Sequence, residues 1–171
     1  MRKILFVLLA FVLALSPVFA GDKNGFTDLK SKIAVGCSVT GSGVSMRLWP
    51  TDNLGLEFTA GLSAASNYVR VPISAQLLFP MLEKGNFAIN AAPGIGFNYL
   101  HSSAATSGFS FSAGGDLMLE MALPIISENL SIGSGVGVWF AFSSSTTNGT
   151  TTTDFNVNLL SVTPVYIRYY F

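Results

Sequence analysis

The stretch Phe155-Asn156-Val157-Asn158-Leu159-Leu160-Ser161-Val162-Thr163-Pro164-Val165-Tyr166-Ile167-Arg168-Tyr169-Tyr170-Phe171 decides the fold. Every second residue from its end gives Phe171, Tyr169, Ile167, Val165, Thr163, Ser161, Leu159, Val157 and Phe155 on one face. The other face holds Tyr170, Arg168, Tyr166, Pro164, Val162, Leu160, Asn158 and Asn156. One face is mostly apolar and the other carries an Arg and two Asn, which is the period of a β-strand. The run is too long for an ordinary strand of a water-soluble domain. Aromatic residues at its foot suit a strand that ends at a membrane–water interface.

The composition agrees. The chain has 171 residues, half of them hydrophobic, with 11% charged and a formal net charge of zero. That length suits one domain. Charge is scarce against the usual value of about 25%, and neutrality argues against nucleic acid as a partner. After the start, no stretch has the roughly 20 unbroken apolar residues of a membrane helix. High hydrophobicity divided among short alternating runs is the pattern of a membrane barrel.

The start reads as a secretory signal: Arg2 and Lys3, an apolar run from Ile4 to Leu15, and the small-residue site Val18-Phe19-Ala20. Cleavage after Ala20 leaves 171 − 20 = 151 residues. No Cys lies near that site, which argues against a lipoprotein, and Cys37, alone in the chain, has no partner for an internal disulfide. The expected organisation is a signal peptide over 1–20, a short polar periplasmic segment over 21–31 and a barrel domain over 32–171.

Alternating runs separated by turn signals then follow. The expected strands are Ile33–Thr40, Val44–Trp49, Leu54–Ser63, Tyr68–Phe79, Phe87–Tyr99, Phe109–Leu123, Leu130–Phe142 and Phe155–Phe171. Pro72 inside the fourth run predicts a bulge. The expected turns are Gly41–Gly43, Pro50–Asn53, Ala64–Asn67, Glu83–Asn86, His101–Ser107 and Ser127–Asn129, with a polar low-complexity loop over Ser143–Asp154. If the last strand ends at the periplasm, the Ser143–Asp154 segment lies outside the cell and both termini are periplasmic, which requires an even number of strands. The strands of the first hairpin are shorter than the roughly 9–11 residues a membrane strand needs.

Six acidic or basic residues fall within the strands: Arg47, Glu57, Arg70, Asp116, Glu120 and Arg168. All six share the register opposite the large apolar residues. An Arg facing lipid at mid-depth costs roughly 2–4 kcal/mol, so the alternation is energetically enforced. A soluble barrel would place apolar residues inside and its charges outside, and this pattern is inverted. The fold expected is all-β: an eight-stranded, antiparallel, up-and-down transmembrane β-barrel.

On these features, with the terminal Phe171 beside Tyr169, the chain resembles the small eight-stranded bacterial outer-membrane proteins of the OmpA-barrel, OmpX and OmpW kind. The resemblance covers Ile33 to Phe171, and Gly43–Leu56 (GVSMRLWPTDNLGL) looks like a hairpin of generic outer-membrane barrel domains. It implies a cell outer membrane in a Gram-negative-type envelope, a monomer among lipids that include lipopolysaccharide, and insertion machinery that reads the terminal aromatic residue. No peptidoglycan-binding domain is expected after Phe171. Fold alone does not give function.

Three carboxylates against three guanidinium groups predict a paired lumen network without a cofactor or metal, because buried charges are tolerated when paired. Arg47 and Glu57 are expected to stand opposite each other across a hairpin. Glu120 and Arg168 are expected to meet over Ser131, Gly133 and Gly135. Smaller residues higher up (Asn98, Ser110, Ser112, Gly137) predict a wetter cavity. The function expected is structural or surface interaction around a side-chain-filled lumen, with no surface ligand identified. Two other readings stand beside it. One is passage of small apolar solutes, as in OmpW-like proteins. The other is a lipid A deacylase-like hydrolase using His101 and Ser103, but a Ser nucleophile needs a base and an orienting acid, and no outward carboxylate follows them. The expected answer is therefore not an enzyme.

One prediction rests on the sequence alone. Deleting Phe171 lowers the amount of protein recovered in the outer membrane and raises its periplasmic degradation. Unchanged levels and unchanged heat-modifiable gel mobility would count against its role as an assembly signal.

Overall fold

The computed structural model describes residues 26–29, 32–39, 43–102 and 106–171. The expected signal peptide, its cleavage point after Ala20, the turn at Gly41–Ser42 and Ser103 lie outside the described residues. One helical turn, α1 (Phe26–Leu29), precedes nine strand segments. These are β1 (Ala34–Ser38), β2 (Gly43–Thr51), β3 (Leu54–Gly61), β4 (Ser63–Ala65) and β5 (Tyr68–Lys84), followed by β6 (Phe87–Ser102), β7 (Thr106–Ala122), β8 (Leu130–Thr147) and β9 (Thr150–Tyr170).

All pairings are antiparallel. Consecutive segments pair from β5 to β9, β9 pairs with β1, β1 with β2, β2 with β3, and β3 with β5. Since β3 and β4 occupy one place in the ring, the sheet closes as eight strands. Closure removes the open edges that an eight-stranded sheet would otherwise expose.

Pro72 does not bulge the wall. Ala60 faces Ile73 and Ser63 faces Arg70, so the register is the same on both sides of the β3/β4 break. The ladder is interrupted at Gly61 and Leu62, opposite Pro72 and Val71, and Pro72 has no N–H to give. The bulge of β5 falls instead at Met81, between Pro80 and Leu82.

The terminal strand departs from a straight two-residue period in an informative way. Gly133 faces Tyr166 but Gly135 faces Thr163, and Gly137 faces Ser161 but Val138 faces Leu159. Two extra residues in β9, one near Pro164–Val165 and one at Leu160, therefore reverse the faces between them. Ser161 and Thr163 turn inward and Val162 turns outward, the opposite of strict alternation. That takes Ser161 and Thr163 off the apolar face and Val162 off the polar one. Leu160 takes φ 64° to make this bulge.

The Ser143–Asp154 segment is not a loop. It continues β8 and β9 in register from Ser143↔Asp154 to Thr147↔Thr150. Thr is well suited to a pleated surface, and Thr146 and Thr151 join hydroxyls at 2.9 Å. The two-residue tip Asn148-Gly149 has φ 51° and 80°, the left-handed pair that a type I′ hairpin demands. Likewise His101 and Ser102 belong to β6 and Thr106 and Ser107 to β7, so the expected 101–107 loop is shorter. The wall is tall from β5 to β9 and low at β1 to β3.

The segment expected to be a polar lead-in carries a plug. Phe26 and Leu29 are buried in the end of the barrel where the β2–β3 and β5–β6 turns lie, with Ala34, Ala88, Ala122 and Tyr170. The Phe26 N–H donates to the Gly85 carbonyl at 2.9 Å, and its ring meets Tyr170 edge to face at 6.4 Å. We call this the lower end.

The hairpin tip generates a prediction. Nothing lies within 4 Å of a Cβ built on Gly149, so Gly149→Ala adds only left-handed strain, about 1–2 kcal/mol. Amide exchange over Ser145–Thr152 should accelerate roughly tenfold, and that of lower β8 and β9 should stay unchanged. Equal exchange in both proteins would contradict the assigned turn.

Candidate functional site: the barrel lumen

The inward register carries the chemistry. Arg47, Glu57, Glu120 and Arg168 are each at most 2% exposed. They meet although they come from β2, β3, β7 and β9. Arg47 and Glu57 are direct cross-strand partners, and the Arg47 Nε donates to Glu57 at 2.9 Å while its Nη2 reaches the same oxygen. Arg47 Nη1 pairs with Glu120. Arg168 closes the ring, with Nη2 2.5 Å from Glu57 and Nη1 3.8 Å from Glu120. Ser131 and Tyr170 donate their hydroxyls to Glu120, Tyr170 at 2.9 Å. The Arg168 guanidinium also lies over the Tyr166 ring, 5.2 Å from its centre.

Two positive and two negative groups thus alternate around one closed ring. The small seventh wall position makes room for it: a Cβ on Gly133 would lie 3.0 Å from Arg168 Nη1 and 2.9 Å from the Leu119 carbonyl. Ring formation removes four ions from water at once, which is tolerable only because each charge meets two opposite partners.

Asp116 and Arg70 do not join this network, so a three-against-three pairing is not what forms. Asp116 accepts from Gln76 Nε2 at 2.7 Å and from Trp139 Nε1 at 2.9 Å, both neutral donors. Arg70, exposed and higher up, donates from Nε to Asn98 at 3.0 Å. Inward position was readable for all six charged residues. Their partners were not, because barrel stagger decides which strands meet across the lumen. Sequence reasoning also left out Ser131, Tyr170, Gln76 and Trp139 as network members; their only signal was membership of the inner register.

The lumen is layered. Above the plug lies the charge ring, and beside it an apolar group of Leu78, Ala92 and Met118 with Trp49 packed against it. Toward the upper end a cavity of about 500 Å³ opens, with Glu57, Gln76, Asp116, Trp139 and Tyr166 among its lining and Ser110 and Ser112 on its wall.

The remaining candidates lie at the margins. His101 is exposed near the upper end of β6, opposite Ser107; its expected companion Ser103 is outside the described residues. Among the described residues no group of three or more His, Cys, Asp or Glu side chains is arranged to hold a metal. Phe171 is exposed, its N–H donates to the Ile33 carbonyl at 2.9 Å, and its ring meets Tyr169 edge to face at 5.1 Å.

The ring makes a thermodynamic prediction. Arg47→Met or Glu57→Gln alone leaves one uncompensated buried charge and costs about 3–5 kcal/mol. The double variant restores neutrality and should cost at least about 2 kcal/mol less than the two single costs added. Urea unfolding of the reconstituted protein measures this, and simple additivity would contradict the pairing.

No protein-family model matches the chain, and no curated protein matches it.

Proposed function

We propose that the chain is an integral barrel of a bacterial outer membrane, a monomer that serves as a closed, surface-presenting scaffold rather than a general pore. One observation carries the reading: the distribution of polarity is inverted. Arg47, Arg168, Glu57, Glu120 and Asn90 rank among the largest fully buried side chains. Phe97, Phe109, Phe111, Phe140 and Phe142 are 43–49% exposed on the outer wall. Water does not favour that arrangement, and hydrocarbon does.

The closed lumen supports the scaffold role over solute passage. An eight-stranded barrel has an interior that side chains can fill, and here the ring, the apolar layer and the α1 plug occupy its lower part. The wall heights support surface presentation. A membrane strand needs roughly 9–11 residues, and β9 has 21. In this setting the Thr-rich β8–β9 hairpin stands clear of the bilayer on the outer side, where a surface partner reaches it. Lipids, including lipopolysaccharide, and the insertion machinery are the partners this reading implies.

Three measurements test it. The protein should fractionate with the outer membrane and run faster unheated than boiled. Purified protein in planar bilayers should give no stable conductance steps. Reproducible steps across preparations would overturn the closed lumen, and recovery in the soluble fraction would overturn the membrane assignment.

A further inference from the structure

We propose that the upper lumen is a binding site for a small organic ammonium ion, whose N–H groups are received by the Asp116 carboxylate. The seat has a definite construction. Gln76, Gly94, Gly114 and Trp139 form one continuous row across β5 to β8. The two bulky ends of that row reach across the two glycines and converge on Asp116, two residues along β7 from Gly114.

Glycine is required for this shape. A Cβ on Gly94 would stand 2.6 Å from Gln76 Cγ, and one on Gly114 would stand 3.0 Å from the Trp139 ring. A Cβ on Gly137 would stand 2.2 Å from Asp116 Oδ1. Gln76, Asp116 and Trp139 therefore lie flat against the wall, and the space above them stays open as the cavity.

The carboxylate of this seat has no ion-pair partner. The ring below is neutral by itself, and among the described residues no cationic side chain forms an ion pair with Asp116; Arg70, the cation on the lining of the same cavity, donates to Asn98 nearer the upper rim. Asp116 is 6% exposed, and a buried carboxylate held only by neutral donors attracts a cation. A carboxylate has about four acceptor positions; Gln76 and Trp139 use one on each oxygen. The others are available to an ammonium group, with the indole of Trp139 beside it for a cation–π contact.

A hard metal ion fits less well. Calcium takes roughly six to eight oxygen ligands, whereas Asp116 already has an N–H on each oxygen. The mixture of hydroxyl groups (Ser110, Ser112) and apolar surface (Pro72, Ala141) above the seat suits an amine with a short carbon skeleton. Such binding requires only the folded barrel, whichever bilayer or detergent surrounds it.

The test uses the full-length chain in detergent micelles, with n-butylammonium chloride as the probe at constant ionic strength. The chain has two Trp residues, so Trp49→Phe assigns the indole N–H resonance of Trp139. That resonance should shift saturably with n-butylammonium and stay in place with n-butanol or sodium butyrate. Asp116→Asn keeps an oxygen acceptor and should weaken the response at least about tenfold, the loss of a charge-assisted hydrogen bond. Ser110→Phe, which fills the cavity and leaves the carboxylate untouched, should weaken it as well. A response reproduced by sodium chloride or butanol, undiminished by either substitution, or absent from the parent protein would overturn the proposal.

Discussion

Arg47, Glu57, Arg168 and Glu120 can be buried only together, and that constraint organises the barrel. No member has a satisfactory place if another is missing: a single ion in a low-dielectric interior is far more expensive than the closed ring. The ring fixes which residues of β2, β3, β7 and β9 face inward. Because side chains alternate, one inward residue sets the faces of its neighbours along each strand until a bulge reverses them, as in β9. The aromatic outer wall and the polar lumen are thus two consequences of one arrangement.

The same constraint explains why the two ends differ. Below, large side chains and α1 fill the interior, and Phe26 covers Tyr170, which in turn donates to Glu120. Above, the inner register turns to Gly, Ser and Thr, and the volume those residues do not occupy becomes the cavity. Asp116 sits at the transition and belongs to the cavity rather than to the ring. In the proposed membrane setting, the filled part lies toward the periplasm and the open part faces outward.

Much of this was legible in the sequence, and what was not has identifiable causes. Alternation disclosed the strand count and the inward charges; in the proposed membrane setting an Arg on the outer wall is penalised, most at mid-depth. The Arg47–Glu57 opposition followed from turn position alone. Asp116 choosing Gln76 and Trp139 did not, since that contact depends on stagger around a closed ring. The Ser/Thr run of 143–154 hid a hairpin because polar composition suggested a loop, although Asn148-Gly149 is a strong turn signal. The β9 bulges left a trace too: Ser161 and Thr163 on an apolar face marked where strict alternation fails. Phe26 and Leu29 gave only a weak signal, two apolar residues in a polar segment.

The most direct test of the inverted wall is a lipid-accessibility scan along β9. In a Cys37→Ser background, a bimane fluorophore is attached to single cysteines at positions 159, 161, 162, 163 and 167, and the protein is reconstituted with brominated lipids. Strong quenching is expected at Leu159, Val162 and Ile167, with protection at Ser161 and Thr163, so that the accessible face shifts from odd to even between the two bulges and returns after them. Unbroken odd-numbered quenching through 161 and 163 would contradict the bulged register. Absence of quenching at all five positions would contradict the barrel's outward-facing apolar wall in a bilayer.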